Sequence, residues 1–99
     1  MTTHEERKRN LIWGRGFLEE FAQDGTLPAP VRRLAAELLL AYPSTTRLED
    51  CELDQLQDLQ DEFSGVFAKT RELFQRLQLS ESTSEQRRYS MRVVLRHFN

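Results

Sequence analysis

Cysteine is all but missing from this chain: Cys51 stands alone among 99 residues, so no disulfide can form within the chain and a reducing compartment suits it. Histidine is nearly as scarce, with His4 close to one end and His97 close to the other. Neither is placed as a rigid general base or a metal ligand. The sequence has no Walker loop, dinucleotide fingerprint, Gly-x-Ser-x-Gly elbow or paired-cysteine motif, so the residues give an enzyme little to work with. The acidic stretch Glu49, Asp50, Glu52, Asp54, Asp58, Asp61 and Glu62 lacks the Asp-x-Asp-x-Asp-Gly pattern of a calcium loop. No metal and no cofactor are expected. Apolar runs are short as well: none approaches the ~18 residues of a membrane span, and the first residues do not read as a secretion signal. The expected location is the cytoplasm. A formal charge of -2 gives no global attraction to nucleic acid or anionic lipid.

What remains is amphipathic and polar. At 38% hydrophobic and 30% charged residues, positions 1–99 read as a single soluble domain whose core is small enough for association to add stability. Thr3 with Glu6 fits a capping box. The helix it opens carries Leu11, Trp13, Phe17, Leu18, Phe21 and Ala22 over about half its circumference, and Ile12 lies outside that arc beside Gly16. Gly14 and Gly16 each cost about 1 kcal/mol relative to alanine inside a helix, a cost offset wherever another backbone approaches closely. Asp24-Gly25 predicts a turn based on the positive φ open to glycine, and Pro28 and Pro30 restart the chain in a first helical turn. Val31, Leu34, Ala35, Leu38, Leu39 and Tyr42 then share one face until Pro43 stops the helix.

Leu56, Leu59, Phe63, Val66, Thr70, Leu73 and Leu77 alternate at spacings of three and four, which is the rhythm of a helix seam. A helix unbroken from Thr46, capped with Glu49, to Leu77 would be about 48 Å long at ~1.5 Å per residue, against ~30 Å for a small domain. Either it bends near Gly65 or a second chain covers the overhang. Leu56, Leu59, Phe63 and Val66 are therefore the candidate oligomerisation residues. Phe67 and Phe74 fall one position beyond the seam and widen it. Together with Ile12 and Gly16 they form the candidate partner-binding set, with internal packing of all four as the alternative.

The last segment is basic. Arg88, Arg92 and Arg96 recur every fourth residue and would form a ridge along a helix, so a DNA-binding regulator is a rival function. Ser82 with Glu85 offers a cap for a helix over 83–97, in which Met91, Val94, Leu95 and Phe98 share a face. Tyr89, Met91, Val93 and Leu95 also alternate as a strand would. Twelve of the fourteen basic residues are arginine, a residue enriched at protein interfaces.

The segments Glu6-Arg7-Lys8-Arg9-Asn10-Leu11, Phe17-Leu18-Glu19-Glu20-Phe21, Leu27-Pro28, Val31-Arg32 and Leu38-Leu39-x-x-Tyr42-Pro43 resemble a family of short proteobacterial helical proteins. Within that neighbourhood the chain is similar in size and all-helical pattern to the QslA-type quorum-sensing anti-activators of Pseudomonas. That resemblance implies a small helical protein that binds a LuxR-type transcription regulator and blocks its dimerisation and DNA binding. It covers less than half the chain, has no counterpart after Pro43, and carries over no individual site residue. Gly14 and Gly16 stand where the wider family has longer polar side chains.

The expected fold is all-α: a small bundle of about four helices, near 4–24, 28–42, 46–78 and 83–97, with a helical hairpin packed on a long third helix. The expected function is protein binding. The alternatives are the DNA-binding regulator and a homodimeric structural protein that covers its own seam.

Overall fold

The computed structural model describes residues 3–79 and the single positions 85, 86, 89 and 92. Over residues 3–79 five α-helices follow one another: α1 (His4–Gln23), α2 (Ala29–Ala41), α3 (Thr45–Asp50), α4 (Leu56–Glu62) and α5 (Ser64–Leu79), with a single 3-10 turn at Leu53–Gln55 between α3 and α4. Among the described residues there is no strand, and the all-α bundle stands. The expected helix over 83–97, with its apolar face, lies outside the described residues apart from those single positions.

The Thr3 hydroxyl accepts from the Glu6 amide at 3.1 Å and so occupies one of the free N–H groups at the start of α1. Glu5 and Glu6 sit at the positive end of the helix dipole. The turn after α1 differs from its sequence reading. No glycine among the described residues takes a positive φ. Instead Asp24 Oδ1 accepts from the Thr26 amide at 2.9 Å and from its hydroxyl at 2.6 Å, so an aspartate side chain folds the corner.

α1 and α2 form the expected hairpin, burying Leu11, Leu18 and Phe21 against Ala35, Leu38 and Tyr42. The buried Tyr42 hydroxyl donates to the Leu11 carbonyl oxygen across the hairpin. Burial pushes the ionisation of this phenol well above its ordinary value, and the nearby Arg15 guanidinium offsets only part of that. Arg15 Nη1 donates to the Tyr42 and Pro43 carbonyl oxygens at 3.4 and 3.2 Å, which satisfies acceptors left free where α2 stops.

The long third helix is not continuous. α3 begins one residue early, with the Ser44 hydroxyl accepting from the Arg47 amide at 3.1 Å, and ends at Asp50. Its end is held from outside: Lys8 Nζ donates to the Glu49 and Cys51 carbonyl oxygens at 2.6 and 2.9 Å, placing a cation at the negative pole of the helix. A second break falls at Phe63, whose φ and ψ of -106° and 20° leave the helical region between α4 and α5. The longest extent of the molecule is 39 Å, which a continuous helix of about 48 Å would exceed.

Breaking the helix lets all its pieces reach one core. Leu48 from α3, Leu56 and Leu59 from α4, and Phe67, Leu73, Phe74 and Leu77 from α5 join the hairpin residues in a single cluster. Its centre is aromatic. Phe17, Phe21 and Phe74 have ring centroids 5.8–5.9 Å apart, with Phe74 meeting the other two edge to face. Tyr42 meets Phe67 in the same way at 5.2 Å.

Candidate partner-binding surface

The structure splits the four residues expected to bind a partner. Phe74 is 0% and Phe67 is 4% exposed, both inside the aromatic centre, so they are corrected from partner surface to core. Ile12 and Gly16 remain outside that centre: Ile12 is half-buried, packed in part against the core, and Gly16 is exposed. The oligomerisation set is also redistributed. Leu56 and Leu59 are buried within the chain, and Phe63 and Val66 are half-buried against the same core. With the helix broken into α3, α4 and α5, no overhang of that length needs a second chain to cover it. Arg47 lies over the exposed side of Phe63 at 5.1 Å and pairs with Glu62 at 2.7 Å, covering the ring with a local charge pair.

What α1 leaves open is the side opposite Leu11, Leu18 and Phe21. Gly16 sits at its centre. An added Cβ there would meet nothing within 4 Å, so among the described residues no neighbour accounts for this glycine in the middle of a helix. Trp13, one turn earlier on one flank, is 47% exposed, and Arg9 lies over its ring at 5.1 Å. On the other flank, Ile12 joins Leu53, which is 37% exposed, in a groove of about 350 Å³ rimmed by Glu5, Lys8 and Arg9. An apolar floor with a charged rim has the make-up of a protein interface.

The sequence placed Trp13 in the buried arc and gave Leu53 no role. The signal that could have moved Trp13 outward is its position between Arg9 and Gly16, at spacings of four and three, on a line with no other large apolar residue. Leu53 becomes visible only once the 3-10 turn brings it beside α1. His4 Nδ1 lies 3.2 Å from the Leu53 carbonyl oxygen and helps hold that turn in place.

Elsewhere the surface offers less. A hollow of about 370 Å³ between α1, α4 and α5 carries Arg7 and Arg71 but also Asp61, so its charges are mixed. Arg7 Nη1 donates to Gln60 Oε1 at a long 3.5 Å. Among the described residues no group of three His, Cys, Asp or Glu side chains is placed to hold a metal ion, and no helix is long and apolar enough to cross a membrane. Arg88 and Arg96 of the basic ridge lie outside the described residues, and Arg92 is exposed. Comparison of the chain with protein-family models, curated proteins and solved structures finds no match.

Proposed function

We propose that this chain is a protein-binding module that docks through the outer face of α1 and acts as an anti-activator of a LuxR-type transcription regulator. The observation that carries the docking face is the conjunction on one helix side of an exposed tryptophan, the Ile12–Leu53 groove and a glycine that no contact among the described residues requires. The class of partner comes only from the likeness in size and all-helical pattern to the QslA-type proteins, within the wider family that segments of residues 6–43 resemble. On this reading the module holds the regulator as a monomer, and DNA binding falls by mass action because the dimer is withdrawn from the equilibrium.

The test is the oligomeric state of a purified LuxR-type regulator, followed by sedimentation as this protein is added. A rising monomer fraction with formation of a mixed complex supports the reading. A regulator that stays dimeric at saturating protein refutes it. A separate titration of duplex DNA with this protein in rising salt tests the DNA-binding alternative, which requires binding that weakens steeply with salt as phosphate contacts are lost.

A further inference from the structure

We infer that two copies of this chain pair antiparallel through α1, with Trp13 of each seated over Gly16 of the other and Arg9 of each paired with Glu20 of the other. Arg9, Trp13, Gly16 and Glu20 follow at spacings of four, three and four, so on an α-helix they form one nearly straight line. All four are exposed. A two-fold axis crossing that line between Gly14 and Arg15 sets Trp13 against the partner's Gly16 and Arg9 against the partner's Glu20. The same operation generates both contacts again in reverse. The line is thus self-complementary in size and in charge, which is what an isologous interface needs.

Size and charge are both already prepared. The space over Gly16 is empty to 4 Å from a would-be Cβ, so a bulky ring can approach the helix backbone there. The Arg9 guanidinium lies over its own Trp13 ring at 5.1 Å, which sets a cation beside the ring, and a guanidinium has five N–H donors with which to meet a carboxylate. Glu20 also interacts within its own chain, and a carboxylate accepts from several donors at once. The pairing rests on α1 alone. Its regulatory consequence rests on the function proposed above: the pair covers the face offered to the regulator, so self-association and partner binding compete.

Sedimentation of the unmodified protein from about 1 to about 100 µM should show an 11.7 kDa monomer passing into a dimer. Arg9→Glu alone or Glu20→Arg alone should weaken the dimer at least tenfold by placing like charges opposite each other twice. The double swap, Arg9→Glu with Glu20→Arg, should restore it. Gly16→Ala should weaken it at least tenfold while leaving the fold intact, since among the described residues the methyl meets nothing within 4 Å in its own copy. A parent that stays monomeric throughout overturns the inference, as does a dimer indifferent to both single swaps or a double swap that fails to recover. None of these outcomes depends on the regulator, so failure here and failure of the anti-activator reading are read separately.

Discussion

Replacing Tyr42 with phenylalanine should produce a loss of stability that shrinks at high pH. The ring is buried against Phe67 and its hydroxyl donates to the Leu11 carbonyl oxygen, tying the end of α2 to α1. Phenylalanine keeps the shape and loses the hydrogen bond. The Leu11 carbonyl oxygen sits inside α1 and retains its helical partner, so the cost stays near the ordinary net worth of such a bond, about 1 kcal/mol. For a domain of this size that lowers the melting temperature by roughly 4–8 °C. The pH dependence follows from the raised ionisation of the buried phenol. The folded state keeps Tyr42 neutral well above the pH at which the unfolded chain ionises, near 10. Its contribution is complete below that pH and is lost as pH rises toward the folded value, by about 1.4 kcal/mol per unit. At pH ~11 the parent should therefore have lost about 1.4 kcal/mol that the variant never had, cancelling or reversing the difference at pH 7. Thermal melts followed by far-ultraviolet circular dichroism at both pH values test it. An equal gap at the two pH values would refute the account of Tyr42 burial, and no gap at pH 7 would refute the role of its hydroxyl.

Phe74→Ala should cost about 3–5 kcal/mol, a large share of the whole stability of a small domain, because the ring is fully buried against Phe17 and Phe21; chemical denaturation measures it. Gly16→Ala should stabilise the monomer by up to about 1 kcal/mol at concentrations where no dimer forms, read by the same method. Lys8→Met should destabilise by about 1 kcal/mol, since the stem is kept while the cation at the end of α3 is lost, and a melt in low and high salt checks it. Leu40→Gln should change stability by less than about 0.5 kcal/mol, as the side chain is 90% exposed; a larger loss would mean that α2 is covered on its outer side.

Where local chemistry decided the structure, the sequence was legible. The Thr3–Glu6 pattern marked the start of α1, and the period of Val31 to Tyr42 with Pro43 behind it bounded α2 to within a residue at each end. The third helix failed because its seam was real but its continuity was not. Residues 51–55 contain neither proline nor glycine, so nothing local announces the break. It arises because Leu48, Leu56 and Phe74 can be buried together only if the chain folds back, a tertiary effect that outweighs helix propensity. The same folding turned Phe67 and Phe74 inward, since the buried face of α5 runs through Phe67, Thr70, Leu73, Phe74 and Leu77 while Val66 rotates to the edge. Of the candidate surface, Ile12 and Gly16 were legible from their place on the helical wheel. The exposure of Trp13 is not legible from apolar character alone, since a tryptophan beside an arginine and a glycine faces outward as readily as inward.

The central claim, that the outer face of α1 docks a protein, is tested most directly by calorimetric titration of the purified protein against a LuxR-type regulator. The parent should be compared with Ile12→Arg and Trp13→Ala, each first shown by thermal melts to be folded. The account predicts saturable binding by the parent and at least tenfold weaker binding by each variant, since apolar anchors at interface centres are worth ~2 kcal/mol or more. Equal affinity of all three proteins, or no binding by the parent, would contradict it.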